Sequence, residues 1–136
     1  MDQTSEERPA RVLIIEDEEA VGRAMERTLR RLYEVTLVSS VEDGLAALLR
    51  DDDIGVVLCD LHMKSTHMQG WHLHATLREH RPALLPRVIY MFGGVFTGED
   101  ERFVDEITGK QATLLKPVLP SQLRAAVEAC LLAAQG

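Results

Sequence analysis

No stretch of this sequence approaches the ~20 consecutive apolar residues that a membrane-spanning helix needs. Its opening, MDQTSEERPA, is polar and acidic, unlike a secretory leader. Basic residues are outnumbered, with 15 Lys and Arg against 22 Asp and Glu and a net charge of −7. A nucleic-acid partner is therefore not expected, since binding phosphates requires a basic patch. Cysteine is scarce. Cys59 and Cys130 lie inside apolar runs without metal-ligand spacing, which predicts buried free thiols in a reducing, cytoplasmic compartment. No G-x-S-x-G turn supports Ser-His-Asp hydrolysis. Gly93–Gly94 lacks the further Gly and the Lys-Ser/Thr of a phosphate-cradling loop. There is no repeat, low-complexity tract or interdomain linker.

What is present is an alternation. Residues 1–10 read as a disordered lead-in ending near Pro9. RVLII (11–15) and IGVVLCD (54–60) are apolar runs without a period of two, as expected of strands buried on both faces. YEVTLV (33–38), RVIYM (87–91) and ATLL (112–115) supply three more strands. Helices are predicted between and after them. The first spans roughly 18–31, with Val21, Met25, Thr28, Leu29 and Leu32 on one stripe. The second, VEDGLAALLR, opens after Ser40, which with Asp43 resembles a capping box. WHLHATLREH follows Gly70 and is stopped by Pro82. GEDERFVDEI is capped by Thr97, and residues 121–134 are capped by Ser121. One domain over 11–134 follows, with a parallel sheet, helices on both faces and right-handed crossovers.

In such sheets the working site lies at the carboxyl ends of the strands. Glu16 and Asp17 end the first strand, Asp60 the third and Lys116 the fifth, so all four should meet at one edge. Any one of them could be a solvated strand-end charge, but four together favour a site. Three clustered carboxylates resist ionising together unless a cation joins them, and oxygen donors favour Mg²⁺. Asp60 is then either a ligand only or also a carboxylate nucleophile toward phosphorus. Lys116 could pair with Asp60 or with a phosphoryl oxygen attached to it.

The pieces LIIEDEE, VVLCDLHM, YMFGG and LLKP, in this order and spacing, resemble the receiver domain of two-component response regulators. The resemblance implies a (βα)₅ flavodoxin-like fold of strand order 2-1-3-4-5. It implies that Asp60 accepts a phosphoryl group from a histidine kinase or phosphotransfer protein. Asp17 matches the direct Mg²⁺ ligand, Glu16 the acid that acts through water, and the backbone carbonyl of His62 a further ligand. Lys116 matches the family's lysine, and Lys116–Pro117 the bond that is often cis. The family's usual docking or dimerising face, helix four, strand five and helix five, falls here on residues 98–134. No output domain is expected after the fifth helix, as in a stand-alone regulator or a piece of a hybrid kinase. An aspartate-nucleophile phosphatase of a neighbouring fold would carry its nucleophile after strand one, whereas here the isolated aspartate follows strand three. A flavodoxin-type cofactor binder would need a Ser/Thr/Gly loop after strand one, which is missing.

The sequence departs from this family at the parts that report phosphorylation. Phe92 stands where a Thr or Ser hydroxyl is usual, and no Ser or Thr occurs between 88 and 96. Thr113 stands where the family has its strand-five aromatic. A degenerate receiver, recognised by a partner without phosphorylation, is therefore the alternative reading. Gly93 is expected to keep the approach to Asp60 open. Lys64 replaces a usual proline, which frees φ, restores an N–H donor and should loosen the loop up to Gly70. His62, His67, His72 and His74 cluster nearby, but no acid or cysteine completes a ligand set at conventional spacing. Surface histidines are expected.

Overall fold

A computed structural model of the chain describes residues 9–64, 68–93 and 98–135. Residues 1–8 of the expected lead-in, His67, Gly94 and the expected cap Thr97 lie outside the described residues. The elements run β1 (Arg11–Ile15), α1 (Glu19–Leu29), β2 (Glu34–Val38), α2 (Val41–Arg50), β3 (Ile54–Asp60) and α3 (Gly70–His80). A 3-10 helix (Pro82–Arg87), β4 (Val88–Phe92), α4 (Gly98–Ile107), β5 (Ala112–Leu115) and α5 (Pro120–Gln135) follow. Every strand pairing is parallel, and the order is β2-β1-β3-β4-β5. This is the doubly wound α/β sandwich expected from the alternation.

The central strands are apolar throughout because both of their faces are covered. Leu13, Ile15, Val57, Cys59 and Tyr90 face the layer that holds Val41, Leu48, Leu73, Leu77, Phe103 and Ile107 of α2, α3 and α4. The alternate residues Val12, Ile14, Val56, Leu58, Ile89 and Met91 face Met25 and Leu29 of α1 and Leu123 and Val127 of α5. Both cysteines are buried and unpaired, as expected. Ser40 caps α2 by accepting from the N–H of Asp43 at 3.0 Å. Gly109, two residues past the end of α4, has a φ of +80°, a left-handed conformation that glycine adopts without a Cβ clash.

Two local expectations are corrected, and a third is extended. α1 ends at Leu29, so Leu32 lies outside the helix and is 56% exposed rather than on its buried stripe. α5 begins at Pro120, so Ser121 sits inside the first turn and is not its cap. Proline suits a first helical position because its missing N–H would have had no helical partner there. Leu119 donates instead to Gln122 Oε1 at 3.0 Å. Pro82 does more than follow the end of α3, because it opens the 3-10 helix that leads into β4. Among the described residues no helix is long and apolar enough to cross a membrane.

Candidate functional site

Strand register assembles the site. Ile15 lies opposite Cys59, so Glu16, one residue further, stands beside Asp60. Phe92 lies opposite Leu115, and the N–H of Lys116 donates to the Phe92 carbonyl at 2.8 Å. Residues remote in sequence therefore share one edge. Lys116 Nζ donates to Glu16 Oε1 at 2.8 Å and to Asp60 Oδ2 at 3.0 Å. The N–H of Glu18 reaches Glu16 Oε2 at 3.1 Å, and the N–H of His62 reaches Asp60 Oδ1 at 3.2 Å. The Lys116–Pro117 bond is cis.

The pocket holds charge out of water. Glu16 is 2% and Asp60 4% exposed. Burial pushes the Glu16 carboxyl up to about 7, the charge of Asp60 adds to this, and the Lys116 bond opposes it. Burial likewise raises Asp60 above the usual carboxylate range, with Lys116 pulling it back. Burial alone would lower Lys116, but its bond to Glu16 and the two carboxylate charges outweigh that and raise it. Glu16, Asp17 and Asp60 each place an oxygen within 4.8 Å of the others, and the Lys116 ammonium bonds two of them, Glu16 and Asp60. The clustered donors are all oxygen, which suits a hard divalent cation such as Mg²⁺.

The loop after β3 is tied to this pocket. Lys64 reaches it through its main chain, its N–H donating to Asp17 Oδ2 at 2.6 Å. Gln69 Oε1 accepts from the N–H of Met63 at 2.6 Å, and Gln69 Nε2 donates to the Met63 carbonyl at 2.9 Å. The described ends of a loop expected to be loose are therefore held by specific bonds. Gly70 closes the turn, its N–H donating to Leu61 O at 2.9 Å. A Cβ there would lie 2.8 Å from Leu61 Cα and 2.9 Å from Asp60 O, so only glycine fits. Gly93 is similarly crowded, with a Cβ reaching 3.1 Å from Lys116 Cβ and 3.2 Å from Lys116 O. Its small size is needed by the neighbouring backbone in addition to any role in access.

The Phe92 ring is half-buried and packs against the core layer of α2, α3 and α4. Thr113 is exposed on β5, opposite Tyr90 in register. The expectation of surface histidines holds for His62 but fails for His74, which is 7% exposed. His74 Nδ1 lies 3.0 Å from the Tyr90 hydroxyl, and the His74, Tyr90 and Phe103 rings meet edge to face. Burial lowers the His74 pKa, with Glu106 opposing and Arg78 reinforcing the shift. His72 is half-buried and caps α3, its Nδ1 accepting from the N–H of Gln69 at 2.8 Å. The three-residue spacing of Gln69 and His72 was the available signal for this box, but neither residue is of the usual capping type.

The chain matches the response regulator receiver domain family over residues 12–128. It is 33% identical over 127 residues to the hydrogenase transcriptional regulatory protein HoxA of Cupriavidus necator. That match covers 90% of this chain and 25% of the relative, so the chain spans about a quarter of that protein's length. The crystal structure of a response regulator receiver protein from Sinorhizobium medicae superposes with a TM-score of 0.75 at 25% identity, covering 92% of this chain and 96% of that one. A CheY-like receiver domain protein of Methanospirillum hungatei shares the fold, with a TM-score of 0.77 at 24% identity over 93% and 97% of the two chains. The chain belongs to the response regulator receiver domain family, the receiving module of two-component signalling.

Proposed function

We propose that Asp60 is the phosphoacceptor of a Mg²⁺-dependent transfer from a histidine kinase or histidine phosphotransfer protein. A carboxylate oxygen of Asp60 attacks the phosphorus of a phosphohistidine, the P–N bond breaks, and its electron pair returns to the imidazole. The observation that carries this reading is Lys116 Nζ, 3.0 Å from Asp60 Oδ2 and 2.8 Å from Glu16. There it can exchange a carboxylate partner for an oxygen of the arriving phosphoryl group. Glu16, Asp17, Asp60 and the main-chain carbonyl of His62 would hold the Mg²⁺. When bound, the ion supplies the positive charge that lets a phosphoryl dianion enter an acidic pocket. The domain, taken as 11–134, then acts as a substrate of its kinase and promotes at most its own phosphorylation and dephosphorylation.

The output is read by a downstream protein docking on α4, β5 and α5, where Leu115, Leu132 and, between β5 and α5, Leu119 are exposed. The same face could pair two copies of the chain. Neither nucleic acid nor membrane is a direct partner in this reading. A second reading, a phosphorylation-independent interaction module, is favoured by Phe92, which has no hydroxyl to bond a phosphoryl oxygen. Acetyl phosphate with Mg²⁺, followed by intact mass, separates the two. Addition of one phosphoryl group that is lost in Asp60→Ala supports the first. No addition, or addition that survives Asp60→Ala, overturns it.

A further inference from the structure

Lys64 stands where a proline would remove the backbone donor, and the structure uses that donor. Its N–H reaches Asp17 Oδ2 at 2.6 Å, across a sequence separation of 47. Beyond it the contacts continue without a break. Met63 is bracketed through both its N–H and its carbonyl by the Gln69 side-chain amide. The Gln69 N–H is in turn held by His72 Nδ1 at 2.8 Å. His72 stacks on Trp71 with centroids 3.8 Å apart and planes 26° apart. A candidate metal ligand on the β1–α1 connection is thereby joined to the first turn of α3.

We infer that the Lys64 main-chain amide is a positioning group that orients the Asp17 carboxylate for the cation and ties occupancy of the pocket to the N-terminus of α3. This rests on the Mg²⁺ part of the function proposed above. A carboxylate held by a backbone N–H loses less freedom on binding a cation, and hydrogen bonds to ligating carboxylates are a recurrent way of tuning a metal site. The bond also couples in the other direction. Any adjustment of Asp17 toward the ion pulls on residues 63–64 and, through the bracketing Gln69 amide, on the turn that carries Trp71. A continuous chain of contacts is only the route of such coupling, so the coupling itself has to be measured.

Trp71 is the only tryptophan of the chain, which makes its fluorescence a direct reporter. The experiment titrates Mg²⁺ alone into the full chain, following binding by calorimetry and Trp71 by fluorescence. Lys64→Ala keeps the N–H and should behave as the unsubstituted chain. Lys64→Pro removes it and should bind Mg²⁺ about tenfold more weakly. Gln69→Ala leaves the Asp17 bond in place, so it should keep the affinity but lose the fluorescence response.

Equal affinity in Lys64→Pro and the unsubstituted chain overturns the positioning role. Equal weakening in Lys64→Ala and Lys64→Pro assigns the effect to the side chain and overturns it too. A silent Trp71 during calorimetrically observed binding overturns the tie to α3. Absence of any Mg²⁺ binding in the unsubstituted chain overturns the metal reading, and this inference with it. Should Lys64→Pro fail to fold, hydrogen exchange of the Lys64 amide decides. Protection that disappears in Asp17→Ala supports the bond, and an unprotected amide in the unsubstituted chain overturns it.

Discussion

Two buried polar groups of residues, one at the strand ends around Asp60 and one where α3 and α4 meet the middle of β4, solve burial in opposite ways. The acid pocket keeps Glu16, Asp60 and Lys116 as a cluster of charges, with Glu16 raised to about 7 by burial. The His74–Tyr90–Phe103 group avoids charge, pairing a histidine of lowered pKa with a tyrosine hydroxyl and two ring edges. In the first, charge is held against a desolvation penalty, which the proposed cation would offset. In the second, neutral satisfaction fastens α3 and α4 onto β4. Reactivity and rigidity are thus separated onto different residues a few ångströms of strand apart.

That contrast can be broken most forcefully at Tyr90. Tyr90→Ala removes a fully buried ring and should cost about 3–5 kcal/mol of folding stability, read by urea denaturation. A cost near zero would mean that the cluster does not fasten α4. Tyr90→Phe keeps the ring and deletes only the partner of His74, so about 1–3 kcal/mol should be lost in the same measurement.

The acid pocket should respond with the opposite sign. Because the folded-state pKa of Glu16 lies above its ordinary 4.5, its ionisation removes stability as pH rises from there to about 7. Glu16→Gln should therefore raise stability at pH 8 by on the order of 1 kcal/mol and flatten that fall. A loss at pH 8 would show that the Lys116 pair outweighs burial.

The smallest effect is the pH dependence from His74, best measured in the Glu16→Gln background, where the opposing titration of Glu16 is absent. Its folded pKa lies below the ordinary 6.5, so its contribution is complete above that value and is lost as pH falls below it. The groups facing it are the Tyr90 hydroxyl, the Phe103 ring, Arg78, and Glu106 with an oxygen 3.9 Å from Nε2. His74→Gln should remove this slope. An unchanged slope would assign it to other groups.

The fold was legible because its signals are collective. RVLII and IGVVLCD announce strands covered on both faces through the absence of any polar alternation, and the five-fold strand–helix order leaves few topologies. The meeting of Glu16, Asp17, Asp60 and Lys116 followed from the same order, since parallel strands bring their carboxyl ends together. Pairwise chemistry was harder to read. Nothing local to His74 says that Tyr90 and Phe103, from two other elements, will close over it. Ser121 looks like a cap until Pro120 takes the first helical position. The Gln69–His72 box uses residue types that seldom cap, and Lys64 in place of proline announces a restored backbone donor but not that Asp17 accepts from it.

Gly70 gives the site a vulnerability unrelated to its chemistry. A Cβ there would come within 2.8 Å of Leu61 Cα and 2.9 Å of the Asp60 carbonyl, so any side chain must displace the end of β3. In a saturation-mutagenesis screen scored by signalling output, this position would be depleted as thoroughly as the proposed phosphoacceptor, Asp60. A reader of such a map would mark it as part of the reaction centre, although it offers the reaction no functional group. Gly70→Ala would thus imitate a chemically dead receiver while leaving every carboxylate and the lysine in the chain.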